Sequence, residues 1–223
     1  MVPEPGEFMR NSTYKILDDL LSRHENLKPL QKELNEALVI LIQAFKKEKK
    51  LFVCGNGGSA ADSAHIAGEL MKSFNISRKL DKNAYPAIEN LKDSEILKKK
   101  LEYGLPCIDL TSNLSLQTAI LNDIGAEFIF AQQLFVYGSS GDVLLAISTS
   151  GNSQNVCLAA QVAKLKGMKT IGLQGRNRQS NLAQLADVLI SVPEKETYLI
   201  QEKHLPIYHA LCLALENEFF GEE

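Results

Sequence analysis

Apolar residues recur at helical spacing in the first part of the chain and form short strand-like runs after it. Two amphipathic helices are predicted, one from the capping residue Ser12 and a longer one opened by Pro29. Apolar runs then predict strands at residues 51–54, 142–147, 169–173 and 187–192. Helical patterns follow at residues 60–72, 156–167 and near 182. A final helix is predicted over residues 197–219, where Pro206 predicts a first-turn position, a kink or a break.

Strands that alternate with helices imply parallel pairing, so the pattern predicts an α/β fold. The 223 residues suit one domain with a sizeable core. We expect residues 1–11 to be a disordered lead or an expression scar, and residues 12–223 to form a single domain. Charge-rich residues at about 75–105 interrupt the periodicity, which predicts an insertion made of a loop and a short exposed helix.

Composition and charge exclude several classes of function. The formal net charge is only −3, so the chain carries no electrostatic footprint for nucleic acid. The sequence shows neither a signal peptide nor a run of apolar residues long enough to span a membrane, which predicts a soluble, cytoplasmic protein. The four cysteines stand far apart without a CxxC pair, so we expect small apolar core residues in place of a zinc ribbon or disulfides.

Small and hydroxylic residues stand where two predicted strands lead into helices. Residues 55–59 read Gly-Asn-Gly-Gly-Ser, and residues 148–153 read Ser-Thr-Ser-Gly-Asn-Ser. Free backbone amides and the helix macrodipole attract anions at such junctions. The first segment is not a GxGxxG fingerprint and no Walker lysine follows it, so hydroxyls and amides without a cation suit a small phosphate monoester. The alternatives are a tight turn and an ordinary helix N-cap.

Histidines and oxygen donors share helix faces in two segments. His65 and Glu69 are four residues apart, and Gln201 and His209 are eight apart, with His204 between them. Two helices that each present a histidine beside an oxygen donor suit a divalent metal such as zinc. From spacing alone, partly buried and hydrogen-bonded histidines are the alternative.

Four segments resemble the signatures of the phosphoheptose isomerases, members of the sugar isomerase (SIS) domain superfamily. They are residues 54–70, an Asn-Asp pair at 122–123, residues 141–153 and residues 201–209, in the family's order and spacing. The resemblance covers most of the chain. It implies a flavodoxin-like, three-layer sandwich with a five-stranded parallel sheet between helices, an N-terminal helical pair and a long C-terminal helix. It also implies a homotetramer with active sites at subunit contacts.

The resemblance further implies a reaction and its residues. The family converts sedoheptulose 7-phosphate into D-glycero-D-manno-heptose 7-phosphate through an enediol, for the heptose of lipopolysaccharide or surface glycans. Glu69 matches the catalytic base and His209 the acid that such an interconversion needs. One zinc per site is implied, with ligands matching His65, Glu69, Gln201 and His209, which leaves open whether Glu69 is base, ligand or both. The matched substrate-binding residues are Asn56, Gly57, Ser59, Asp123, Ser148, Thr149, Ser150, Ser153 and Gln201.

Two departures from the family pattern bear on the substrate. The segment at 75–105 is longer than the usual connection, and Tyr198 stands where some members carry an acidic residue. An isomerase of another sugar phosphate is therefore one alternative. A second is a non-catalytic SIS protein that binds a sugar phosphate or a protein partner. Such relatives lose the carboxylate and the histidine that are present here as Glu69 and His209, which favours the isomerase.

Overall fold

The computed structural model describes residues 9–81 and 84–222. The α-helices within these residues are α1 Asn11–Arg23, α2 Gln31–Lys46, α3 Gly58–Met71, α4 Ser94–Lys100, α5 Leu114–Asp123, α6 Ala131–Tyr137, α7 Gln154–Leu165, α8 Asn181–Leu185 and α9 Thr197–Phe220. The strands are β1 Leu51–Cys54, β2 Cys107–Asp109, β3 Val143–Ile147, β4 Lys169–Gln174 and β5 Val188–Ser191.

The strands form one parallel sheet in the order β2-β1-β3-β4-β5. This confirms the α/β fold and the five-stranded sheet that the resemblance implied. The direction of strand order reverses at β1, which pairs with β2 on one side and β3 on the other. In open parallel sheets, ligands bind outside the carboxyl ends of the strands at such a reversal. The topology therefore places a binding site at the ends of β1 and β3.

Buried side chains form two clusters, one on each face of the sheet. Helices α1, α2, α3 and α9 cover the face that carries Leu51 and Val53. Helices α6, α7 and α8 cover the opposite face, which carries Phe52 and Cys54. Because successive strand residues point to opposite faces and both faces are covered, the strands read as continuous apolar runs. All four cysteines are buried and unpaired, as expected from their spacing.

Most predicted helices and strands occur near their expected bounds, but three details differ. Helix α1 begins at Asn11, so Ser12 lies inside the first turn and is not the capping residue. Pro29 lies in a short 3-10 helix, Glu25–Leu30, directly before α2. Helix α9 is 24 residues long in total and contains Pro206, so the proline lies neither in the first turn nor at a break. Buried neighbours such as Ile207 hold it in place although the proline removes one backbone donor.

The expected lead, residues 1–11, falls largely outside the described residues. Met9 is buried in the core. Arg10 donates its backbone N–H to the Glu218 carboxylate at 3.0 Å and its guanidinium to the Gly221 carbonyl at 2.6 Å. Because of these contacts, the folded part of the chain includes residues 9–11, before the boundary expected at residue 12.

The segment between α3 and β2 contains a 3-10 helix, Pro86–Asn90, followed by α4, which has no buried residue. This matches the expected loop and short exposed helix. Arg78 lies in the expected charged stretch but is only 2% exposed, because Glu216 of α9 pairs with it at 2.9 Å. Across the described ranges, no helix combines the length and the apolar character that a membrane span requires.

Candidate active site

Two loops meet at the carboxyl ends of β1 and β3. Gly57 has a φ of +57°, a left-handed conformation that glycine adopts without strain, and α3 begins at the next residue. Ser59 is buried in the first turn of α3, and its N–H donates to the Asn56 carbonyl at 3.0 Å. The side chains of Asn56 and Asn155 exchange two hydrogen bonds of 2.9 Å. This pair joins the start of α3 to the start of α7, where free amides favour an anion.

The hydroxyl groups after β3 are arranged at different depths. Ser148 is buried, and its hydroxyl donates to the Ser153 hydroxyl at 3.0 Å. The hydroxyl of Ser150, on the exposed tip, accepts from the backbone N–H of Asn152 at 3.1 Å. Thr149 is half-buried between them. The loop therefore has hydroxyl groups at its solvent-exposed tip and others buried where it leaves β3.

Helices α3 and α9 bring two histidines and a carboxylate together. The Nε2 atom of His65 lies 3.1 Å from Oε1 of Glu69. The rings of His65 and His209 lie 4.9 Å apart between centroids at an angle of 87°. Glu69 is 14% exposed at its side chain, and its Oε2 lies 3.4 Å from Nζ of Lys72. The expected base and acid therefore belong to one cluster.

Burial shifts the pKa values of three groups in this cluster. It lowers the pKa of His209; a charge on His65 lowers it further, and the Glu69 carboxylate opposes the shift. The lowered pKa favours the neutral form of the His209 ring. Burial raises the pKa of Asp62, while the neighbouring Tyr208 hydroxyl and a charge on His65 oppose the shift. Burial also raises the pKa of Tyr208, with the Asp62 carboxylate adding to the shift.

Gln201 lies against the start of α3, whereas His204 lies in the protein core near β4. A Cβ atom on Gly58 would come within 2.5 Å of Nε2 of Gln201, so the glycine permits this close approach. His204 is fully buried, and neither ring nitrogen has a hydrogen-bond partner within the described residues. Burial lowers its pKa to about 4, with the backbone of Gln174 in β4 opposing the shift in part. His204 is thus a core residue beside the sheet.

The donors expected for zinc are adjacent but not arranged around an ion. Within residues 9–81 and 84–222, no three His, Cys, Asp or Glu side chains form a metal site. Nε2 of His209 is nevertheless buried and has no hydrogen-bond partner in those ranges, which is unusual for a polar atom. Two imidazoles, a carboxylate and a carboxamide oxygen suit zinc chemically. Ligation by both His65 and Glu69 requires their mutual hydrogen bond to break.

Asp123 stands apart from this arrangement. It is the last residue of α5 and is exposed. Its carboxylate accepts a hydrogen bond from the neighbouring Asn122 at 2.8 Å. No hydrogen bond within the described part of the chain connects Asp123 to either loop, so its contact with substrate stays a prediction.

Three residues of the site were missed by the sequence analysis. Asp62 precedes His65 by three residues on the same face of α3, a spacing that could have identified it. Asn155 follows the hydroxyl-rich loop at the start of α7. Tyr208 places its hydroxyl 3.0 Å from Nδ1 of His65. No local signal marks Tyr208, since its position results from the packing of α9 on α3.

Comparison with known proteins assigns this scaffold to a family. A family model described as the SIS domain matches residues 17–104 and 99–175. The phosphoheptose isomerase of Clostridium acetobutylicum is 40% identical over 191 residues, which cover 86% of this chain and 85% of that protein. The chain belongs to the phosphoheptose isomerase family. The family member from Nitratiruptor sp. is 39% identical over 208 residues, covering 92% of this chain and 98% of its own.

Solved structures of phosphoheptose isomerases share the fold along nearly the whole chain. The one from Neisseria gonorrhoeae gives a TM-score of 0.71 at 31% identity and covers 92% of this chain and 97% of its own. The one from Francisella tularensis gives a TM-score of 0.69 at 26% identity and covers 93% of this chain and 97% of its own. The two loops and the α3–α9 cluster therefore lie on a phosphoheptose isomerase scaffold.

Proposed function

We propose that this chain is an aldose–ketose isomerase that converts sedoheptulose 7-phosphate into D-glycero-D-manno-heptose 7-phosphate, a reaction of heptose biosynthesis. The observation that carries the proposal is the α3–α9 cluster, in which Glu69 and His209 both lie beside His65. Relatives at 39% and 40% identity bear the name phosphoheptose isomerase, which supports the same reaction.

The phosphate group of the sugar binds at the two loops. Backbone N–H groups at the starts of α3 and α7, together with the serine hydroxyls, supply donors without a cation. The Asn56–Asn155 pair fixes one loop relative to the other. The proposed substrate-binding residues are Asn56, Gly57, Ser59, Asp123, Ser148, Thr149, Ser150, Ser153 and Gln201.

Proton transfer uses Glu69 and His209. Glu69 removes a proton from C1 of the open-chain ketose while His209 donates one to the carbonyl oxygen at C2. Glu69 then returns its proton to C2 of the enediol, and the hydroxyl proton on O1 passes to His209, so both side chains regain their starting state. Because burial lowers the pKa of His209, the ring acts through a neutral N–H.

Zinc is the proposed metal, with His65, Glu69, Gln201 and His209 as its ligands. The unpartnered Nε2 of His209 supports this assignment. When bound, zinc supplies orientation of the sugar and Lewis-acid polarisation of its oxygens. A coordinated carboxylate is a weaker base, so Glu69 would act as the base only while it is not bound to zinc.

An NMR assay of the purified protein tests the proposal. Sedoheptulose 7-phosphate is compared with fructose 6-phosphate and ribulose 5-phosphate, after chelator treatment and again after zinc is restored. We expect turnover of the heptulose alone and its recovery with zinc. Turnover of a control sugar instead would reassign the substrate, and binding without turnover of any sugar would favour a non-catalytic sensor.

A homotetramer with sites at subunit contacts belongs to the same proposal. Apolar side chains are exposed on α5 and α6: Leu121 is 58% exposed, Phe135 52% and Val136 64%. Clusters of exposed apolar residues are typical of interaction surfaces. Light scattering should give four times the chain mass of 24.7 kDa, and a monomeric mass would contradict this part of the proposal.

A further inference from the structure

Tyr208 connects the face of α3 that carries His65 to the half-buried carboxylate of Asp62. Its side chain is 2% exposed, and its hydroxyl lies 3.0 Å from Nδ1 of His65. The two rings meet edge to face, with centroids 5.5 Å apart. Burial and the nearby carboxylate of Asp62, one turn before His65, both raise the pKa of this phenol. One hydroxyl group therefore has two polar neighbours on α3.

The Asp62 carboxylate can accept a further hydrogen bond. Its Oδ2 atom is buried and has no hydrogen-bond partner in the described part of the chain. A buried oxygen that accepts no hydrogen bond destabilises the folded protein, so a donor that turns towards Asp62 would stabilise it. In the cluster, the Tyr208 hydroxyl is the group placed to supply it.

The Tyr208 hydroxyl can serve either tautomer of His65, because a hydroxyl both donates and accepts. In one arrangement it donates to Nδ1, and Nε2–H donates to Glu69, 3.1 Å away. In the other, Nδ1–H donates to the tyrosine oxygen, and the hydroxyl hydrogen turns to Asp62. His65 is neutral in both arrangements, but only the second leaves the Nε2 lone pair free.

We propose that Tyr208 is a positioning residue that prepares His65 for metal binding, by turning its hydroxyl from Nδ1 of His65 to Asp62. Zinc requires an unprotonated Nε2, and a partner that holds the other ring nitrogen fixes the tautomer. The inference rests on the zinc ligands of the proposed function. It adds a role for Tyr208 and Asp62, which are not among the proposed zinc ligands or sugar-binding residues.

Zinc affinity of the full-length protein tests the role of Tyr208. We expect Tyr208→Phe to weaken zinc binding about 10- to 100-fold in competition with a chromophoric chelator. The matched control is Tyr137→Phe, at a position 48% exposed on α6, which should bind zinc as the wild type does. Unchanged affinity in a folded Tyr208→Phe protein would overturn the proposal.

Asp62 variants separate hydrogen bonding from packing. Asp62→Ala removes the acceptor and should weaken zinc binding, whereas Asp62→Asn keeps a carbonyl oxygen and should restore most of the affinity. Equal affinities for the two variants would contradict the proposed role of Asp62. Thermal unfolding of each protein shows whether a loss of affinity reflects loss of the fold.

The tautomer of His65 can be observed without activity. In metal-free protein with ¹⁵N-labelled histidine, we expect Nδ1 of His65 to be an acceptor and to shift when Tyr208 becomes Phe. With zinc, the proton should be found on Nδ1. A wild type that binds no zinc contradicts the zinc assignment of the proposed function, and the metal-free Nδ1 resonance then decides the role of Tyr208 by itself.

Discussion

Arg78 and Glu216 form a buried ion pair, with 2.9 Å between Nε and Oε1, although 138 positions separate them in the sequence. The guanidinium also donates to the main-chain carbonyls of Leu70, at 2.7 Å, and Glu69, at 3.2 Å. The pair thereby fixes the end of α3, which carries Glu69, against α9.

Loss of Arg78 should destabilise the protein strongly. Arg78→Met leaves the Glu216 carboxylate buried without a counter-charge, so we expect the free energy of unfolding to fall by about 3–5 kcal/mol. Lys28→Met is the control, since Lys28 pairs with Glu25 at the surface and such pairs contribute under about 1 kcal/mol. Urea unfolding measures the free energy of unfolding of both variants. Similar losses for the two would show that burial does not make the Arg78–Glu216 pair more important than a surface pair.

The Asn56–Asn155 pair should contribute to substrate affinity. Asn155→Ala removes both hydrogen bonds that join the loops, a loss of about 1 kcal/mol or about a fivefold rise in KM. Gln161→Ala, an exposed change on the same helix, should leave KM unchanged. Steady-state kinetics decides, and an unaltered KM for Asn155→Ala would show that the loops are fixed by other contacts.

Gly58 should be required for the position of Gln201. In Gly58→Ala the new Cβ would lie 2.5 Å from Nε2 of Gln201, so the carboxamide has to move. Misplacement of a binding group lowers kcat/KM by up to about 100-fold. The fold should survive, because only the end of a flexible side chain moves. Gly68→Ala is the control: a Cβ there would meet nothing within 4 Å outside the adjacent turns of its own helix, and helix propensity predicts a gain of about 1 kcal/mol. Kinetics and thermal melting distinguish the two.

Glu69→Gln should remove turnover and keep sugar-phosphate binding. The amide cannot accept the carbon-bound proton, so kcat should fall about 10²- to 10⁴-fold, while the loops that bind phosphate are untouched. Calorimetric titration with the sugar phosphate measures binding. Glu95→Gln, at a side chain 88% exposed, should behave as wild type. Joint loss of binding and folding would instead make Glu69 a structural residue.

Stability should decrease in acid because of His204. Burial lowers its pKa to about 4 from an ordinary value of 6.5. Between those values the unfolded chain binds a proton that the folded chain does not, so the free energy of unfolding falls as pH decreases through the window. The full loss is about 3 kcal/mol. Urea unfolding from pH 7 to pH 4 should show a flatter dependence for His204→Leu, and equal slopes would exclude His204 as the cause.

The sequence alone predicted the elements whose periodicity is local. Continuous apolar runs marked β1, β3, β4 and β5, because a strand buried on both faces needs apolar residues at every position. The two loops were marked by their small and hydroxylic residues, which suit both a tight strand-to-helix turn and an anion site. Strand β2 was not marked by pattern, since it has three residues and follows a charged segment; the family resemblance implied the fifth strand.

Tertiary structure decided which of these residues meet. Spacing placed His65 beside Glu69 on one helix, but only the packing of α9 on α3 brought His209 and Tyr208 to them. Arg78 belonged to a charged stretch in the sequence and became buried because Glu216, far along the chain, neutralises it. Periodicity reports which face of an element is apolar, whereas contacts between distant residues depend on how the faces pack.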